Sequence, residues 1–168
     1  MQRHTNSILI INTGGTFNKV YNPLDGSLVI ANRAIDEILT KWLCRFEVIN
    51  IIGKDSLDMD DRDRDELLTT IKESKYSSIV VVHGTDTIDI SASFIAQANL
   101  SQKIIFTASM TPFSIDPIEA SANLAMAIGY LNGIDDRGVY IAINGVVGEH
   151  SSIIKDRENG KFIKRSIV

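Results

Sequence analysis

The sequence is notable first for what it lacks. It has a single cysteine, so no intrachain disulfide can form, which fits a reducing, cytoplasmic setting. That residue, Cys44, lies past an apolar-periodic stretch and reads as a small buried hydrophobe at a helix end. No apolar run approaches the roughly 20 residues of a membrane span. The opening Met1-Gln2-Arg3-His4-Thr5-Asn6 has no apolar core of a signal peptide. Positive charge is not in surplus either: 17 Lys and Arg stand against 21 Asp and Glu, a net charge of −4. That gives no support to nucleic acid or an anionic membrane as partner. Several site types are missing as well. Thr13-Gly14-Gly15-Thr16 does not have G-x-G-x-x-G spacing, and no Walker lysine follows it. There is no Cys/His cluster or H-E-x-x-H for zinc, and no G-x-S-x-G elbow.

What is present is a regular alternation of strand and helix signals. The 168 residues are 44% hydrophobic and 23% charged, as in a soluble globular chain, and their number suits one domain. Ile8 to Ile11 form a buried strand that runs into two glycines. A hairpin or flap turning at Pro23-Leu24-Asp25-Gly26 follows. Periodicity then predicts helices over 33–42, 62–74, 88–99 and 117–131, the last with Pro117 in its first turn. Between them lie strands over 46–52 (ended by Gly53), 79–83, 103–108 and 138–143. An acidic loop occupies 54–61, and a C-terminal hairpin pairs 151–154 with 162–167. The expected fold is a three-layer α/β sandwich with a mostly parallel, Rossmann-like or flavodoxin-like sheet. It is expected as one domain over residues 1–168.

Polar residues concentrate at two strand ends. In Asn12-Thr13-Gly14-Gly15-Thr16 the glycines let backbone approach a ligand and leave the Thr16 hydroxyl uncluttered. A hydroxyl nucleophile needs a proton acceptor nearby. In His83-Gly84-Thr85-Asp86-Thr87 a second hydroxyl stands beside a carboxylate at the start of a helix. Each residue also has a plainer reading. Asp86 fits a helix cap, Thr85 a turn residue, and His83 a half-buried, hydrogen-bonded structural histidine rather than a catalytic base. Asp58, Asp60 and Asp61 fit a solvated loop or a surface for a cationic group, and Lys155 a surface lysine. Lys155 gains a role only if the tail folds back beside Asp86, where it would handle the proton of a hydroxyl.

Taken together, Asn12-Thr13-Gly14-Gly15-Thr16-Phe17 and Val80-Val81-Val82-His83-Gly84-Thr85-Asp86-Thr87 make the sequence resemble the N-terminal domain of bacterial-type L-asparaginases, the threonine amidohydrolases. Ser56-x-Asp58-Met59-x-Asp61 follows that family's substrate-loop pattern. Ala108-Ser109-Met110-Thr111-Pro112 is similar to its G-A-M-R-P segment, with Ser and Thr replacing Ala and Arg. The resemblance spans about residues 7 to 160. It implies Thr16 as nucleophile, Thr85, Asp86 and Lys155 as a second catalytic constellation, and Tyr21 as the flap tyrosine in a shortened flap. It further implies that Ser56 holds a substrate α-carboxylate and Asp86 an α-amino group, with Gly15, Leu57, Asp58, Gly84 and Ser109 lining the substrate. Backbone N–H groups around Gly15 and Gly84 would face the oxyanion.

The implied reaction converts L-asparagine to L-aspartate and ammonia, with glutamine a poorer substrate and no metal or organic cofactor. The family's smaller C-terminal domain is absent from the 168 residues. A homodimer or homotetramer is therefore expected to supply the missing wall of the site, or the site stays open and binds its small amino-acid amide weakly. Two other functions stay open at this point: hydrolysis of another small amide, and a non-catalytic amino-acid-sensing module.

Overall fold

The computed structural model describes residues 8–165. Ten strands and four α-helices follow in chain order: β1 (Ile8–Gly14), β2 (Lys19–Tyr21), β3 (Leu28–Ile30), α1 (Ala34–Lys41), β4 (Glu47–Lys54), α2 (Asp61–Glu73), β5 (Ser78–Val82), α3 (Ile88–Gln97), β6 (Lys103–Thr107), α4 (Pro117–Gly133), β7 (Gly138–Ile143), β8 (Val146–Glu149), β9 (Ile153–Asp156) and β10 (Lys161–Lys164). Short 3-10 turns lie at Thr16–Asn18, Ser56–Asp58 and His150–Ser152.

Six strands form the central sheet in the order β4-β1-β5-β6-β7-β8. The first five are mutually parallel, and β8 returns antiparallel to β7. The parallel strands thus run 2-1-3-4-5 in chain order, the flavodoxin-like arrangement, whose topological switch point falls between β1 and β5. Side chains along β1 alternate between two cores. Ile8 and Ile10 pack with α1 and α4 through Ile35, Ile38, Leu124 and Leu131. Leu9 and Ile11 pack with α2 and α3 through Leu67, Ile71, Ile88 and Ile95. With apolar matter on both faces, these strands are nearly uniformly apolar rather than alternating, as a covered parallel sheet requires.

The three-layer sandwich matches expectation, and four local readings are corrected. Gly53 does not end its strand: β4 continues through Lys54, whose backbone carbonyl is needed by Gly15. β8 has no counterpart in the sequence reading; Asn144 and Gly145, both at positive φ, form a two-residue turn that sends the chain straight back. The C-terminal hairpin pairs β9 with β10 over 153–156 and 161–164, and Ile167 lies outside the described residues. Cys44 is exposed rather than buried, because α1 stops at Lys41 and Leu43 at φ 54° turns the chain off the helix. Beyond Leu39, Trp42 is partly buried against the core and Leu43 is solvent-facing.

Candidate active site

Two tight turns meet at the switch point. Gly15, at φ 70°, lies against the backbone of the turn after β5: a Cβ there would be 2.6 Å from both Gly84 N and Gly84 Cα. Gly84 is packed as closely on its other side, where a Cβ would be 2.5 Å from Ser56 Oγ. Glycine is required at both places by contact, and the consequence is positional. The residues that follow, Thr16 and Thr85, are carried on touching backbone segments although 69 positions separate them in sequence. Ser56, almost fully buried, completes the junction: its Oγ accepts the Asp86 N–H at 3.2 Å and its carbonyl accepts the Thr87 hydroxyl at 2.8 Å.

The first turn is held by side-chain amides. Asn12 Nδ2 donates to Asn50 Oδ1 at 2.8 Å, and to Asn18 and Asn32 at 3.2 Å each. Asn18 Nδ2 returns to Asn12 Oδ1 and to the Gly14 carbonyl, both at 2.7 Å. Thr13 donates its hydroxyl to the Val82 carbonyl at 2.9 Å, tying β1 to β5. Thr16 is half-buried, and its hydroxyl makes no hydrogen bond to the described residues.

The second turn is held by charge. Lys155, from β9, brings its Nζ to 2.9 Å from Thr85 Oγ1 and 2.8 Å from Asp86 Oδ1. Arg157 donates from Nη1 to the same Oδ1 at 3.0 Å, and from Nη2 to the Asp86 carbonyl at 2.7 Å. The hydrogen bond from Lys155 holds the Asp86 carboxyl below the usual carboxylate range, with Arg157 adding to it and partial burial opposing. Asp86 is not a helix cap: α3 begins at Ile88, and its N-terminal flanking residue is Thr87. Lys19 and Asp55 form a second ion pair at 2.5 Å next to this group. Burial raises the Asp55 carboxyl, but the Lys19 ammonium and the Leu57 N–H outweigh it and leave its pKa lowered.

His83 is wholly buried rather than half-buried. Its Nδ1 faces the Gly84 carbonyl at 2.9 Å, which assigns the proton to Nδ1, since a carbonyl only accepts. Nε2 has no partner among the described residues. Burial pushes its pKa down to about 4, so the imidazole is neutral at pH 7. It lies edge-on to Phe106 and behaves as core.

The structure thus gathers Gly15, Thr16, Ser56, Gly84, Thr85, Asp86 and Lys155 into one locality. Leu57 and Asp58 continue the turn after Ser56 with exposed side chains. Ser109 is fully buried at the end of β6 and donates its hydroxyl to the Thr111 carbonyl. Tyr21 stands on the flap strand β2, 62% exposed and outside the hydrogen-bonded group. The Gly15 N–H, expected to face an oxyanion, is already given to the Lys54 carbonyl at 2.9 Å. In the acidic loop, Asp60 and Asp63 form a reciprocal capping box that starts α2.

Sequence reading missed the asparagine cluster and Arg157. The first had a signal, since Asn12 and Asn50 are polar residues inside apolar strands and are paired in register. The second had none, because only the hairpin register brings a turn arginine to Asp86.

No curated protein sequence matches this chain. Among solved structures, it superposes on the thermostable L-asparaginase of Thermococcus kodakarensis with TM-score 0.79 at 23% identity, covering 94% of this chain and 50% of that one. It superposes on L-asparaginase I of Vibrio cholerae O1 biovar eltor with TM-score 0.78 at 22% identity, covering 96% and 52%. For the probable cytoplasmic L-asparaginase of Campylobacter jejuni the TM-score is 0.70 at 20% identity, covering 96% and 57%. The chain therefore spans about half the length of the structures it matches. Among the described residues no helix is long and apolar enough to cross a membrane. With the asparaginase N-terminal family model matching residues 7–159, the chain belongs to the asparaginase family through that N-terminal domain.

Proposed function

We propose that this chain is an amidohydrolase that converts L-asparagine to L-aspartate and ammonia, with weaker action on L-glutamine. The observation that carries the reading is the position of Lys155 Nζ, 2.9 Å from Thr85 Oγ1 and 2.8 Å from Asp86. Beside it, the Thr16 hydroxyl is free of protein partners among the described residues. The three solved structures named above, each called an L-asparaginase, support the same reading.

In the proposed reaction, the Thr16 oxygen attacks the side-chain amide carbon. Its proton passes toward Thr85, whose own oxygen is held by the Lys155 ammonium. The C–N bond breaks and ammonia leaves with that proton. Water then cleaves the resulting ester, giving aspartate and restoring the Thr16 hydroxyl. Because the Gly15 N–H is engaged, the backbone of the Gly84 turn is the proposed oxyanion donor. Ser56, buried and already accepting from Asp86 N–H, keeps its hydroxyl proton for the substrate carboxylate. Tyr21 would act only by closure of the flap. The described chain is proposed to work as one domain, in the cytoplasm, as a homodimer or homotetramer.

Ammonia release from L-asparagine, with L-glutamine and D-asparagine alongside, tests the reading in the wild type and in Thr16→Ala and Thr85→Ala. Turnover of L-asparagine that falls by at least ~10²-fold in both variants is the expected outcome. Stabilisation by asparagine or aspartate without any turnover would replace the hydrolase with an amino-acid-sensing module.

A further inference from the structure

Arg157 lies two residues beyond Lys155 and ends on the same carboxylate. Asp86 Oδ1 accepts from Lys155 at 2.8 Å and from Arg157 at 3.0 Å, and Arg157 is fastened a second time to the Asp86 carbonyl at 2.7 Å. Two cations against one carboxylate leave this point with a net charge of +1, and the adjacent Lys19–Asp55 pair is neutral in sum. An ammonium arriving at Asp86 finds its counter-ion already satisfied and two like charges at contact distance. The two cations differ in mobility. The Lys155 side chain is 13% exposed and fixed, whereas that of Arg157 is 60% exposed and can leave toward solvent.

We infer that Arg157 is a specificity-determining residue: it occupies the amine-accepting side of Asp86 and biases the site toward ω-amides of dicarboxylic acids that lack a free α-ammonium. L-Asparagine is then a substrate that must displace a guanidinium, and it binds weakly for that reason. The inference rests on the proposed hydrolase only for the bond that is broken; the charge preference of the site does not depend on turnover. It is a rejection device of the kind that excludes one ligand by an unfavourable charge rather than by an added attraction.

The test uses the full chain, with Arg157→Ala and Arg157→Gln. Calorimetric titration with succinate and L-aspartate reads binding without chemistry, and ammonia release from succinamate and L-asparagine reads the reaction. The wild type is expected to bind succinate at least ~10-fold more tightly than L-aspartate, the ratio that one unfavourable charge contact produces. Both variants are expected to abolish that preference and to lower the KM for L-asparagine about tenfold. Equal affinities in the wild type, a ratio unmoved by either substitution, or no binding of either diacid would each overturn the assignment. A succinate preference that Arg157→Ala abolishes, in a protein that releases no ammonia, would uphold it and overturn the hydrolase instead.

Discussion

The two turns that meet at the switch point are built from opposite materials. The turn after β1 is fixed by neutral amides, Asn12, Asn18, Asn32 and Asn50, and leaves Thr16 without a partner among the described residues. The turn after β5 is fixed by ions, with Lys155 and Arg157 converging on Asp86 and Thr85 already engaged. A nucleophile is served by rigid surroundings that do not compete for its oxygen, whereas a proton relay is served by charges at hydrogen-bond distance. In the proposed reaction this division places bond formation at one strand end and proton movement at the other.

Substituting each hydroxyl separately breaks the comparison most sharply. Thr16→Ala and Thr85→Ala are each expected to reduce ammonia release by at least ~10²-fold while leaving the thermal midpoint within a few degrees. Retained activity in Thr16→Ala would move bond formation off the neutral turn.

The next effect is on acid stability and belongs to the charged side. His83 is neutral when folded, with a pKa near 4 against 6.5 when unfolded. Below pH 6.5 the unfolded chain takes up the proton and the folded one does not, so stability present above pH 6.5 is lost as the pH falls toward 4. The loss is on the order of 3 kcal/mol. Asp86 has its pKa lowered instead, so its contribution is full above the unfolded value of 3.8 and disappears as the pH falls through the folded one. Urea titrations across this range should show a stability slope between pH 6.5 and 4 that His83→Phe flattens.

On the neutral side, Asn12→Ala leaves the buried Asn18 amide and the less buried Asn32 and Asn50 amides short of a partner, at about 2 kcal/mol. Its stability loss should be nearly constant with pH, unlike that of Asp86→Ala, which should shrink as the pH falls below 3.8. As a control in neither turn, Asp60→Ala removes one half of the α2 capping box and should cost about 1 kcal/mol with activity intact.

The fold was legible because burial on both sheet faces writes itself into local composition. Ile79 to Val82 and Ile104 to Phe106 are apolar throughout, and β7 was read with its observed ends, Gly138 and Ile143. β8 was not legible: its four residues include Gly148, and its signal is the Asn144-Gly145 turn rather than any periodicity. The site divides in the same way. Glycine next to threonine at a strand end is a local pattern, and it marked Thr16 and Thr85. Arg157 and the pairing of Lys19 with Asp55 are products of register and packing, and single-sequence patterns do not carry them. Cys44 was misread because helix periodicity says which face is inward but not where a positive φ at Leu43 ends it.

Lys155 lies 70 positions beyond Thr85 in the chain, on one of the last elements described. During synthesis the five parallel strands and all four helices emerge before β9 does. A nascent chain that reaches Ile143 can therefore cover both faces of its sheet while Asp86 still has no cation beside it. The charge arrangement at Asp86 is therefore completed only after the parallel strands and their helices have emerged, and closing so long a loop is the slow kind of contact to form. Proteolytic nicking of the turn between β9 and β10, where Glu158 and Asn159 are exposed, would cut the covalent link between β9 and its antiparallel partner while leaving the six-stranded sheet unbroken.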